Sequence, residues 1–157
     1  MPPPSIAVTL GDPRGIGAEV ALAAARTLRA EGPESPVLFV GAPEQVEGVD
    51  LPGWTELRPT ESWDGTEEGA GRVSIAALRT AVELAMAGTV GAVVTAPVHK
   101  PALHAAGWEA PGQTEMLQEL SGAAEVGMLM CAERTRLGAP LRVLLATTHL
   151  PLREVPG

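Results

Sequence analysis

The chain has 157 residues, a formal net charge of −8, 45% hydrophobic and 19% charged residues, and a mean hydropathy of +0.15. That length and apolar content allow a real core and argue against disorder. An acidic balance without a basic stripe argues against nucleic acid as a partner, and no apolar run is long enough to span a bilayer.

The start, Met1-Pro2-Pro3-Pro4, lacks the charged and apolar regions of a signal peptide, and the one cysteine, Cys131, cannot form an internal disulfide. A cytoplasmic setting is the simplest inference. With no Tyr, one Phe and three Trp, the core has to be built from Ala, Val and Leu.

In chain order, residues 6–10 (Ile-Ala-Val-Thr-Leu) read as a short buried strand, followed by a glycine-rich turn from Gly11 to Gly17. Residues 18–30 carry Val20, Ala24, Thr27 and Leu28 at helical spacing, and Gly32-Pro33 ends that run. Residues 36–41 are a second strand, whose continuous apolar character suits a parallel sheet covered on both faces. A short helix is expected after Pro43. Residues 59–71 are polar and glycine-rich and read as a loop.

Residues 72–87 carry Val73, Ala76, Ala77, Thr80, Val82, Leu84 and Ala85 and read as a helix ended by Gly88. Residues 90–95 are the next strand, and residues 101–106 and 114–120 read as short helices. Residues 126–131 and 141–146 look like strands of an antiparallel hairpin around Gly138-Ala139-Pro140. Strand–helix alternation predicts an α/β fold with right-handed crossovers. An N-terminal α/β domain, itself partial, is expected over residues 1–125, with the beginning of a second α/β domain over 126–157. The last residues, from Thr147 on, start an element without finishing it and read as an interrupted chain.

Four short constellations could carry chemistry. The Gly11–Gly17 turn precedes a helix whose first amides are free for an anion, but its glycines fall at 11, 15 and 17. That is not the dinucleotide pattern G-x-G-x-x-G. A tight strand-to-helix turn in which Asp12 caps locally is the equal alternative.

The second constellation is Thr95 to Lys100, at the end of a predicted parallel strand, where open α/β sheets place their ligands. Lys100 is the sole lysine among eleven basic residues. Its ammonium can lose a proton when desolvated, whereas arginine stays charged. His99, beside it, titrates nearest neutral pH, although an ordinary loop histidine would look the same. The third is Gly112-Gln113-Thr114-Glu115, where Thr114 reads either as a helix N-cap or as a ligand-binding hydroxyl. The fourth is Thr147-Thr148-His149-Leu150-Pro151. His149 could ligate a metal through a neutral ring nitrogen, but His99 and His104 lie far away in sequence, so no second histidine stands at ligand spacing.

Together and in order, these segments resemble the 4-hydroxythreonine-4-phosphate dehydrogenase family of vitamin B6 biosynthesis, the PdxA proteins. The matching stretches are residues 8–17, 94–100, 112–115 and 145–153. The resemblance implies an α/β fold like that of isocitrate and isopropylmalate dehydrogenases, a mostly parallel sheet with flanking helices, here truncated. It implies metal-assisted oxidation of a small phosphorylated hydroxy acid by NAD or NADP, followed by decarboxylation, for pyridoxal 5'-phosphate synthesis. The divalent metal of the family is zinc, magnesium or cobalt, and the family is homodimeric.

Carried over by position, His149 matches a metal-ligand histidine and Thr114 a substrate-binding threonine. Gln113 stands where a substrate-binding histidine is usual, a departure, because glutamine hydrogen-bonds but cannot become cationic. Lys100 is a catalytic candidate, and Asp12 and His99 are further candidates without an assigned step. Dehydrogenases of related sugar acids, threonate or erythronate 4-phosphate, and a non-catalytic anion-binding remnant are the alternatives. Family members continue well beyond 157 residues and carry two further metal histidines there. This chain alone is therefore expected to be inactive and not to hold the metal.

Overall fold

The computed structural model describes residues 5–31, 35–109, 112–147 and 151–155. The chain divides into two compact units, Met1–Ser121 and Gly122–Gly157.

In the first unit, strands β1 (Ser5–Thr9), β2 (Val37–Gly41), β3 (Thr55–Pro59) and β4 (Val90–Thr95) form a parallel sheet in the order β3-β2-β1-β4. Val8 sits opposite Phe39 on one side and Val94 on the other. The apolar runs read from the sequence become β1, β2 and β4; β2 is covered on both faces and needs apolar residues at nearly every position, whereas β4 is an edge strand of this sheet with Val94 half exposed.

Helices α1 (Gly17–Glu31) and α2 (Glu67–Met86) follow β1 and β3. On one face, Leu22 and Ala25 of α1 pack with Leu10, Val37, Phe39 and Val46. On the other, Ala77 and Ala81 of α2 pack with Ala7, Val40 and Val90. Helices α3 (Lys100–Ala105) and α4 (Gln113–Ser121) are held by α2, where Leu78, Leu103 and Met116 form a third cluster. The absence of Tyr and the near absence of Phe fit these tight, Ala-rich contacts.

Three sequence expectations are corrected. The buried face of α1 is Leu22 and Ala25, flanked by Ala18 and Ala21, whereas Val20 and Leu28 are exposed. Alanines repeat so often along this helix that the larger residues misplace its stripe. Strand β3 was not expected, since Glu56, Arg58 and Pro59 make its sequence polar; it is an edge strand, where charges and a terminal proline are tolerated.

The loop expected over 59–71 is shorter, because α2 begins at Glu67. Thr66 caps it, its hydroxyl accepting from the Gly69 amide at 2.9 Å. Gly71 belongs inside the helix because a Cβ there would run into the Ala102 carbonyl of α3. The short helix after Pro43 is a single 3₁₀ turn, Pro43–Val46.

In the second unit, β5 (Met128–Ala132) and β6 (Leu141–Leu145) form the expected antiparallel hairpin, with Met130 opposite Val143. Leu129, Met130, Leu141 and Leu144 are each more than half exposed.

Candidate active site

The strand order places β1 between β2 and β4. The chain therefore leaves β1 toward one side of the sheet and later returns to the other. The C-terminal ends of β1 and β4 form the switch point where open α/β sheets bind ligands. Here the turn after β1 and the loop after β4 are laced together. The Ala96 amide donates to the Thr9 carbonyl, and the Asp12 amide to the Pro97 carbonyl, both at 3.2 Å. Gly11 makes this closeness possible, since it sits at φ +70° and a Cβ there would collide with the Pro97 carbonyl. Gln45 supports the turn from below, donating to the Leu10 and Gly11 carbonyls at 3.4 and 3.3 Å.

Asp12 is buried at 4% exposure and faces Arg14. Its Oδ1 accepts from the Arg14 amide at 2.8 Å and from Nε at 3.1 Å, and its Oδ2 from Nη2 at 2.9 Å. Burial works to raise the Asp12 carboxyl, but the hydrogen bonds and charge of Arg14 outweigh it and hold the group below the usual carboxylate range. The same pairing raises Arg14. Asp12 thus closes a local turn and does not cap α1, whose first bond runs from the Val20 amide to the Ile16 carbonyl. Asp12 accepts from the amides of Arg14 and Gly15, so these two amides of the turn are not open to an anion.

Arg14 also reaches away from Asp12. It donates through Nη1 to Glu67 Oε1 at 3.2 Å and through Nη2 to His99 Nδ1 at 3.0 Å. Asp12, Arg14, Gly15, Ile16, Pro97, Val98 and His99 line a cleft of about 470 Å³.

Among the described residues, none of the remaining candidates lines this cleft. Lys100 is the exposed first residue of α3 and makes no ion pair among the described residues. Gln113 opens α4 and donates through Nε2 to the Ala96 carbonyl at 3.2 Å. Thr114 is half-buried in the first turn of α4, inside the helix and not at its N-cap. His149 lies outside the described residues. Asp12 and His99 are joined through Arg14, and Gln113 is joined to the same loop one residue before Pro97.

Arg14 and Glu67 are the site residues that sequence reasoning left unassigned. Arg14 stood within the Gly11–Gly17 turn, where a fork-shaped donor beside an aspartate was the available signal. Glu67 fell in the stretch read as a loop, and no signal pointed to it.

Comparison with known proteins decides the family. A family model described as "Pyridoxal phosphate biosynthetic protein PdxA" matches residues 7–157. The chain belongs to the PdxA family. It is 38% identical over 173 residues to a 4-hydroxythreonine-4-phosphate dehydrogenase of Synechococcus sp. (strain JA-3-3Ab), covering 98% of this chain and 49% of that protein. Its identity to the protein of the same name from Thermosynechococcus vestitus is also 38%, over 97% of this chain and 49% of that one.

Among solved structures, a 4-hydroxythreonine-4-phosphate dehydrogenase from Klebsiella pneumoniae superposes with a TM-score of 0.78 at 30% identity, over 96% of this chain and 53% of that one. The PdxA likeness also bears out the expected α/β architecture, similar to isocitrate and isopropylmalate dehydrogenases. The chain spans about half the length of the curated relatives it matches. No described helix is long and apolar enough to cross a membrane.

Proposed function

We propose that this chain contributes the substrate-recognition half of a 4-hydroxythreonine-4-phosphate dehydrogenase site. The observation that carries this reading is the family match across residues 7–157, which includes all the motifs gathered at the β1–β4 switch point. The relatives carry the name of that dehydrogenase, which favours it over the sugar-acid and remnant alternatives.

The substrate is a small phosphorylated hydroxy acid, hence an anion. The first turn of α4 offers free amides of the kind that favour an anion, and Thr114 offers a hydroxyl beside them. Lys100 supplies a cation at the start of α3. Gln113, in place of the usual histidine, recognises substrate as a neutral donor and acceptor.

NAD or NADP is the oxidant implied by the family. A divalent metal such as zinc, magnesium or cobalt is the implied Lewis acid. The described residues do not by themselves fit either group. No three His, Cys, Asp or Glu side chains among them could hold a metal ion, and in the turn after β1 the Arg14 and Gly15 amides are already taken by Asp12. The residues of this chain bind and orient the substrate.

Calorimetric titration of the 157-residue chain with 4-hydroxythreonine 4-phosphate tests the proposal. Binding that is lost in Thr114→Val and weakened in Lys100→Ala is expected. Binding indifferent to both substitutions would overturn the residue assignment, and no binding of the phosphorylated substrate would favour an inert remnant.

A further inference from the structure

The contacts of His99 make opposite demands on one atom. Its Nδ1 lies 3.0 Å from Arg14 Nη2 and 3.4 Å from Glu67 Oε1. A guanidinium only donates hydrogen bonds and does not lose its proton in proteins. The Arg14 contact therefore requires a lone pair on Nδ1, whereas an attraction to Glu67 would require a proton there. Arg14 is the stronger claimant. Its guanidinium is fixed by two hydrogen bonds to the buried Asp12, and it neutralises Glu67 through its own contact at 3.2 Å.

We infer that Arg14 is a positioning residue that locks neutral His99 in the Nε2–H tautomer, making His99 a hydrogen-bond donor to whatever occupies the cleft after β4. The cleft is walled by Ile16, Pro97 and Val98, which offer no side-chain hydrogen bond. With Nδ1 engaged, Nε2–H is the ring's remaining polar group, so the occupant has to present an acceptor to it: a carbonyl, carboxylate or phosphate oxygen.

The same lock leaves His99 unable to ligate a metal. Nδ1 has no free lone pair, and Nε2 carries the proton. The motif histidine beside the solitary lysine thereby gains a role in orientation and recognition, distinct from the metal-ligand match of His149. The charged groups facing the ring are Asp12 and Arg14 from the turn after β1 and Glu67 from α2; Lys100 is the next residue in the chain.

Long-range proton–nitrogen NMR of the 15N-labelled full chain tests this at a pH high enough to keep imidazole neutral, about 8. His99→Gln identifies which of the three histidine signals belongs to His99. In the wild type, Nδ1 is expected to resonate as a pyridine-type and Nε2 as a pyrrole-type nitrogen, with essentially one tautomer populated.

Arg14→Ala leaves Glu67 as the partner of Nδ1 and is expected to shift the ring toward the Nδ1–H form. Arg14→Lys retains a donor and is expected to keep the wild-type tautomer. Glu67→Gln is expected to leave it unchanged, and this exposed position keeps the test available if Arg14→Ala does not fold. A wild-type ring protonated on Nδ1, or a tautomer that ignores Arg14→Ala in a folded protein and shifts with Glu67→Gln, would overturn the inference.

Discussion

The Gln113 side-chain amide donates to the Ala96 carbonyl at 3.2 Å, tying the first turn of α4 to the loop that leaves β4. Gln113→Ala is expected to cost about 1 kcal/mol of stability, the usual net value of one such bond. Gln113→Glu should cost more at neutral pH, because a carboxylate would then face a carbonyl oxygen. Urea unfolding midpoints check the order. Equal stability of all three proteins would show that the bond does not hold the loop.

The close approach of the Gly11 turn to Pro97 predicts a larger effect. Gly11→Ala places a Cβ at positive φ and against a carbonyl, and backbone strain of this kind costs about 1–3 kcal/mol before any clash is counted. A loss of at least about 2 kcal/mol is expected in chemical unfolding. Tolerance of alanine would mean that the two loops are further apart in solution.

Asp12 gives the fold a defined acid limb. Its folded-state value lies below the ordinary one, so folding favours the ionised form. That contribution is complete above the unfolded-state value, about 3.9, and is lost as pH falls through the lower folded value. Asp12→Asn is expected to cost about 1.5–3 kcal/mol near neutrality, as for hydrogen bonds to charged groups. The gap between the two proteins should close below about pH 4. Thermal melts across that range read it out, and a gap that widens in acid would contradict the sign.

Thr66 tests the corrected start of α2. Its hydroxyl caps the Gly69 amide, and Asp64 beside it is held down to about 2, first by the Thr66 hydroxyl and amide and then by Arg72. Thr66→Ala is expected to cost about 1 kcal/mol, and Thr66→Ser close to nothing. An alanine variant as stable as wild type would return residues 59–71 to the status of a loop.

Much of this arrangement was legible beforehand, for a physical reason. Buried parallel strands such as Val37 to Gly41 leave continuous apolar runs, and the turns after β1 and β4 sit at strand ends wherever such strands occur. β3 was hidden because an edge strand can carry Glu56 and Arg58. The start of α2 was hidden because Gly69 and Gly71 serve packing there, not turns. In the site, Asp12, His99 and Gln113 were visible as motif members. Their connections were not, because Arg14 reaches Glu67 across 53 positions of sequence, a contact made by the fold and absent from local pattern.

The most direct test of the proposed function joins this chain to the C-terminal half of the Klebsiella pneumoniae enzyme and follows NAD reduction with 4-hydroxythreonine 4-phosphate and a divalent metal. The fused protein is expected to reduce NAD, Thr114→Val in the fusion to abolish that, and the 157-residue chain alone to show none. Turnover by the chain alone, or a folded fusion that turns over equally well with Thr114→Val, would contradict the assignment of this chain as the substrate-recognition half.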